Sequence, residues 1–356
     1  MNLVPRSPWV RTGLVLPFFA AVVALLWWRG PDWNVVRHAF ELVNWAWIAF
    51  ALVLNLVSVL LRSFAWRLTI DQALDPPRPR FDQIFSAFSV GLLANAILPG
   101  RIGELARVAV LRRHVPQGPG TSGTLVGTVF AHRLFDLFPA LILVGYVIAT
   151  ARIPHWAVTS LVVVAAVGIL LFTAAVAGAR RGHRPALDDV HAVRRLLTMA
   201  RQGLSVLRSP LPALGAILCQ CAGWLMQLLA VYVAMRAFDI HAPLPAAALV
   251  LLLMNVATIF PLWPGNIGLL QAAVALPLVQ YGVAYSTGFA FALVLQMVEM
   301  SVGVGVGLVF LAREGLSFAM LRELPDESEA TEATEPPEEL EHRRPVERRA
   351  RAGVSG

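Results

Sequence analysis

Long apolar runs, not alternating positions, set the pattern of this chain. Residues 12 to 28, 45 to 65, 124 to 150, 156 to 178, 212 to 235 and 285 to 312 are predominantly apolar segments. Each is long enough to cross about 30 Å of hydrocarbon as a helix. Two further apolar stretches, 83 to 112 and 246 to 281, are interrupted by Pro99-Gly100 and Pro264-Gly265. A Pro-Gly pair removes a backbone donor and favours a turn, so each stretch is predicted to form two half-helices entering and leaving the membrane on one side. Two ordinary spans per stretch are the alternative. The pattern predicts an all-α polytopic membrane protein: about six transmembrane helices plus two re-entrant, Pro-Gly-broken helical hairpins. The run from Leu14 to Trp28 resembles a signal peptide, but it ends in Trp27-Trp28-Arg29 with no small-residue cleavage site and is read as a retained first helix.

Composition strengthens this picture. A chain of 356 residues with 57% hydrophobic and 14% charged positions is too apolar for an ordinary soluble fold. Strands of about ten alternating residues, as a membrane barrel needs, do not occur. All 29 basic residues are Arg. Cys219 and Cys221 sit two apart on one predicted helix, point to different sides, and are read as packing residues.

Charge orients the chain. Arginines fall at 6 and 11, at 67, 78 and 80, seven times between 180 and 208, and from 313 onward, against Arg29, Arg37, Arg152 and Arg236 in the other connections. By the positive-inside rule the Arg-rich connections and both termini are cytoplasmic, in a cell (inner) membrane. Residues 1 to 320 form the integral membrane domain, with a basic cytoplasmic loop at 180 to 210. Residues 321 to 356 are expected to be a disordered, charged tail, since 323 to 341 carry nine acidic side chains before the sequence turns basic. Ahead of that tail stand 23 Arg against 12 acidic residues, a balance that suits an anionic membrane surface.

An internal repeat is legible. LANAILPGRIGELAR, from Leu93, and MNVATIFPLWPGNIGLLQAA, from Met254, both read Pro-Gly-x-Ile-Gly. Asp136 follows Pro99 by 37 residues and Glu299 follows Pro264 by 35. With the first hairpin opening to one side and the second to the other, units 45 to 150 and 212 to 312 are inverted repeats. Such repeats with broken helices are a transporter signature, with the site between them near the midplane.

Candidate chemistry concentrates at the breaks. Asn95, Pro99, Gly100, Arg101, Gly103, Glu104 and Arg107 form the candidate headgroup site. A half-helix starting after Pro-Gly presents backbone N–H groups to an anion, and Arg101, Glu104 and Arg107 share a face. Arginine matches phosphate bidentately, while Glu104 can hold those arginines or bind an amine; the alternative is a solvated face continued by Arg112, Arg113 and His114. His132, Arg133 and Asp136 in HRLFDLF put charge inside a span, where it is costly unless paired or wet. They serve either function or helix packing. Gln296 and Glu299 hold the corresponding place in the second repeat, and Glu299, with no cation on its own helix, is a candidate coupling group or a structural acid. The second break comprises Pro264, Gly265, Asn266, Gly268 and Gln271. Arg62 and Arg67, flanking Trp66, read first as interface anchors and second as headgroup ligands. Asn95, Asn255 and Gln271 can cap broken backbone, and Gln220 and Gln227 can join helices. Gly303, Gly305 and Gly307 lie within an apolar run and permit close packing, not nucleotide binding. No metal spacing or hydrolase motif occurs, so neither metal nor cofactor is expected, and nothing points to nucleic acid.

At LLANAILPGRIGELAR, HRLFDLF and PLWPGNIGLLQAA the chain resembles the lysylphosphatidylglycerol synthase transmembrane family, also called flippase-like, over roughly 40 to 315. In the multiple peptide resistance factors such a domain moves aminoacylated phosphatidylglycerol between leaflets, and a separate soluble domain makes the lipid. About 44 residues follow Ala312 here, so the resemblance implies the flippase-like part without the synthase. Other relatives accompany hopanoid, glycolipid or surface-polysaccharide pathways. The resemblance therefore implies a lipid or lipid-linked substrate, with lipid headgroups, of anionic type, and lipid- or glycan-pathway enzymes as partners. Asn266 and Leu269 make the second break chemically unlike the first. The expected function is a lipid flippase or transporter, not an enzyme. The competing readings are a membrane-embedded enzyme using Glu104, Asp136 or Glu299 as acid or base, and a non-transporting accessory protein of a lipid, hopanoid or glycan pathway.

Overall fold

The computed structural model describes residues 31–97, 102–116, 118, 121–153, 158–159, 161–163, 165–170, 173, 210–259 and 266–316. The first predicted span, the loop at 180 to 209, the tail from 321, and Pro99, Gly100, Arg101, Pro264 and Gly265 lie outside the described residues; the span at 156 to 178 is described only in part. Two compact units divide the chain, Met1–Glu314 and Gly315–Gly356, and the helices described all lie in the first.

Every regular element among the described residues is helical: α1 (Trp33–Glu41), α2 (Trp45–Ala73), α3 (Phe81–Ile97), α4 (Gly103–Arg112), α5 (Thr121–Phe135), α6 (Leu137–Thr150), α7 (Pro210–Ala237), α8 (Leu244–Ile259), α9 (Leu269–Val279) and α10 (Tyr285–Arg313). Helices α5 and α6 run on through Asp136 as one span, Thr121–Thr150. That span, α2, α7 and α10 are long and apolar enough to cross a membrane, and the 29 residues of α2 reach about 43 Å. The sequence pattern did not predict α1. Asp32 caps it through the Asn34 amide at 2.9 Å, and its apolar residues recur at Trp33, Val36 and Phe40, with Val36 in the core.

Units 45 to 150 and 212 to 312 share one layout of long helix, two half-helices and long helix, and contacts at the helix ends fix their relative direction. On one face, the Asn44 amide donates to the Ala237 carbonyl at 3.0 Å. On the same face the Asp32 amide donates to Ser286 Oγ at 2.9 Å, and the Arg152 amide donates to the Tyr281 hydroxyl at 2.8 Å. These join the start of α2, the end of α6, the end of α7, the end of α9 and the start of α10. On the opposite face, Arg313 donates to Asp82 at 3.3 Å, Ser86 Oγ donates to Glu314 at 2.6 Å and His114 pairs with Glu314 at 3.4 Å. These join the start of α3 and the end of α4 to the end of α10. The first hairpin therefore opens on the second face and the second hairpin on the first, as inverted repeats require. Helices α2 and α7, equivalent in the repeats, pack antiparallel through the centre.

Glycine sets how closely the elements approach. A Cβ on Gly307 of α10 would sit 2.5 Å from Leu93 Cβ and 2.8 Å from the Ser89 carbonyl oxygen of α3, whereas one on Gly305 would meet nothing within 4 Å. Gly307→Val is expected to cost about 1–3 kcal/mol through overpacking, and Gly305→Ala to be near neutral. Thermal unfolding of the purified protein in detergent checks the contrast.

A charged cluster between the repeats

Asp136 lies fifteen residues from Thr121 and fourteen from Thr150, and Glu299 lies fourteen from either end of Tyr285–Arg313. Both acids are thus mid-span on equivalent helices. Around Asp136 the fold assembles donors from three elements. Arg62 of α2 reaches Oδ1 at 3.5 Å, and Trp224 of α7 donates to the same oxygen through Nε1 at 3.0 Å. The Gln220 amide also donates to it. Arg133, one turn back, reaches Oδ2 at 3.3 Å. The network continues, because Arg133 pairs with Glu104 and Glu104 with Arg107.

Among the described residues three arginines, Arg62, Arg107 and Arg133, thus surround two carboxylates, Glu104 and Asp136. Net positive charge at membrane depth persists only where it is paired or meets water or an anion. Exposure is graded across the group: the Arg133 side chain is 47% exposed, Glu104 27% and Asp136 13%. Arg107 is buried, its guanidinium 4.9 Å from the Trp66 ring centre and 5.5 Å from that of Phe88. Sandwiched there, it orients Glu104. Arg133 is the cation presented outward.

Several expectations change in the structure. Arg62 is no interface anchor: it lies seventeen residues into α2, and its stem crosses Gly223 of α7, where an added Cβ would come within 2.8 Å of Arg62 Cγ. Trp66 is buried and donates to Thr128 Oγ1 at 3.2 Å. At each described half-helix start one backbone donor is already taken. The Gly103 amide donates to Asn95 Oδ1 at 2.9 Å, and the Gly268 amide to Gln271 Oε1 at 2.6 Å. Side-chain caps take these donors before a ligand can. Among the described residues Asn255 caps no break; its side-chain amide donates back to the Leu251 carbonyl at 2.8 Å within α8. Asn95→Ala is expected to cost about 1 kcal/mol by orphaning the Gly103 amide, as read from thermal unfolding.

In the second repeat, Asn266 and Gly268 take positive φ of 45° and 94°, a left-handed turn that Asn and Gly tolerate. The Asn266 side-chain amide donates across the break to the Ala257 carbonyl at 3.0 Å. Gln271 donates to Gln296 at 2.5 Å. Glu299 accepts from Gln227 at 3.2 Å, so α7 supplies a glutamine to each mid-span acid. No arginine pairs with Glu299 among the described residues, and no cluster of metal-ligating side chains occurs among them. The second break is therefore amide-rich and the first ionic. His132, buried beside Phe88, has both ring nitrogens without a hydrogen-bond partner among the described residues.

Inverted repeats of spanning and broken helices around a charged, mid-span cluster define a polytopic α-helical membrane protein. The chain belongs to the family described as the lysylphosphatidylglycerol synthase TM region, whose model matches residues 12–307. It is 22% identical over 310 residues to a UPF0104 membrane protein of Methanothermobacter thermautotrophicus, a match covering 81% of this chain and 89% of that protein. No solved structure matches it.

Proposed function

We propose that this protein moves a lipid with an anionic headgroup between leaflets, without chemically altering it. One observation carries the reading: three arginines held against two carboxylates at mid-span, between inverted repeats. An excess cation at that depth lowers the cost of bringing a phosphate into the hydrocarbon layer, which is what prevents unassisted crossing. Arg133 and Glu104 make the first contact. Arg62 and Asp136 hold the deeper position, and Glu299 is the second mid-span acid on which the opposite repeat balances charge.

Positive-inside asymmetry orients the molecule. Arg67, Arg78, Arg80, Arg112, Arg113 and Arg313 lie toward the face where the first hairpin opens, against Arg37, Arg152 and Arg236 at the other. The first hairpin thus faces the cytoplasm, in the inner membrane, and both termini are cytoplasmic.

Leaflet-resolved movement of fluorescent phosphatidylglycerol in proteoliposomes tests the proposal. Wild type is expected to accelerate movement. Arg133→Gln should slow it at least about tenfold, the value of one charge-assisted hydrogen bond, and Glu104→Gln should slow it as well, while both variants remain folded. Recovery of a modified lipid would replace transport with catalysis. No movement and no modification would leave an accessory role.

A further inference from the structure

We propose that the cleft between α6 and α7 holds one hydrocarbon chain of the lipid whose headgroup rests on the arginine cluster, so that the bound lipid lies with its head toward the second face and its chain toward the first. This rests on the headgroup reading above. The cleft has a volume of about 330 Å³ and is lined by Pro139, Tyr146, Cys221, Trp224, Leu228 and Leu244 among others. Its walls are almost wholly apolar, and Ile142 and Leu225, also lining it, are 66% and 50% exposed. A side door of this kind opens onto hydrocarbon and suits an alkyl chain, not a soluble ligand.

Continuity with the polar cluster runs through one residue. Trp224 forms part of the cleft wall, and its Nε1 donates to Asp136 Oδ1 at 3.0 Å. Its indole is therefore the joint between a polar and an apolar compartment, a role suited to a ring with an apolar body and one donor.

Direction comes from the run of the helices. Both α5–α6 and α7 start at the second face and end at the first, as their terminal contacts show. Along α5–α6, Arg133 precedes Asp136, while Pro139 and Tyr146 come after it; along α7, Gln220 comes before Trp224, and Leu228 after. Polar residues thus face the side where the first hairpin opens, and the apolar cleft, lined along α6 from Pro139 to Tyr146, extends about 10 Å the other way. A lipid of the second-face leaflet has its head above its chains in that same sense. Sinking by about half the membrane would bring its head to the cluster without inverting it, so the cleft accepts a lipid on its way in from that leaflet.

Cys221 lines the cleft and Cys219, the other cysteine of the chain, serves as the control. The Cys219→Ser protein labelled with bimane at Cys221, in nanodiscs of phosphatidylcholine, should be quenched several-fold more by brominated phosphatidylglycerol than by brominated phosphatidylcholine. The excess should vanish with Arg133→Gln, and also with Leu228→Trp, which fills the cleft. The latter should still bind soluble glycerol phosphate in calorimetry. Equal quenching by the two lipids, or the same preference with bimane on Cys219 in a Cys221→Ser protein, would overturn the cleft while glycerol phosphate binding left the headgroup site standing. Loss of both lipid preference and glycerol phosphate binding in the parent protein would overturn the headgroup reading and the cleft with it.

Discussion

Asp136→Ala will destabilise the folded protein by about 3–5 kcal/mol, the cost of removing one partner from a buried ion pair. Asp136 accepts from Arg62, Gln220 and Trp224 on one oxygen and from Arg133 on the other, so its loss strands donors from three helices at once. Arg62 suffers most, because its side chain is only 19% exposed and has no second carboxylate within pairing distance among the described residues. Asp136→Leu combined with Arg62→Met should recover the part of the stability owed to the stranded Arg62, since an apolar pair of similar volume often replaces a buried ion pair at little cost, while Gln220 and Trp224 still lack their acceptor. Transport should stay absent in the double variant. Thermal unfolding and lipid movement, measured on the same preparations, separate the two roles. Recovery of transport along with stability would show the charges to be structural only.

Gly103→Ala will disrupt the first hairpin, with an effect out of proportion to one methyl group. The added Cβ would run into the Gly91 carbonyl oxygen, which the backbone of α3 holds, and stand 2.6 Å from Asn95 Cγ, which can swing away only by giving up its cap. The half-helices α3 and α4 meet here backbone to backbone, so they must part. Overpacking of this kind costs about 1–3 kcal/mol, and losing the Asn95 cap adds about 1 kcal/mol. Glu104 is the next residue, so separation also draws the carboxylate away from Arg133. Both a lowered unfolding temperature and slowed lipid movement are expected. A fully stable Gly103→Ala protein would mean that the hairpin does not close at this contact.

Much of this fold is written in local sequence. The apolar runs place α2, the α5–α6 span, α7 and α10 to within a few residues, except that α2 continues to Ala73 and not 65. There, Arg67 and Asp71 pair at 3.5 Å and extend the helix beyond its apolar run. Pro-Gly punctuation marks both breaks, and the matched spacing to Asp136 and Glu299 gives the repeat, because a chain constrained by bilayer thickness must keep its register. Asp32 followed by an apolar period of three to four was a readable signal for α1, obscured by its shortness beside the spans.

The site was only half legible. Glu104, Arg107, Arg133 and Asp136 are conspicuous as charges in apolar context, and the Arg133–Asp136 pair is local in sequence. Arg62, Gln220 and Trp224 join Asp136 across 74, 84 and 88 residues. No local pattern encodes such pairings. Arg62 resembled an anchor because apolar character fades after Ala65, and only the packing of α2 on α7 shows it to be mid-span. Asn95 and Gln271 were legible as candidate caps of broken backbone, and they cap Gly103 and Gly268; which amide each one takes depends on how the break folds back.

The measurement that tests the central claim most directly is the rate of leaflet exchange in proteoliposomes for lipids with matched chains and anionic, zwitterionic or cationic heads. Wild type should accelerate the anionic lipid most, and Arg133→Gln should erase its advantage. Equal acceleration of all three, or preference for the cationic lipid, would contradict a site built on excess arginine.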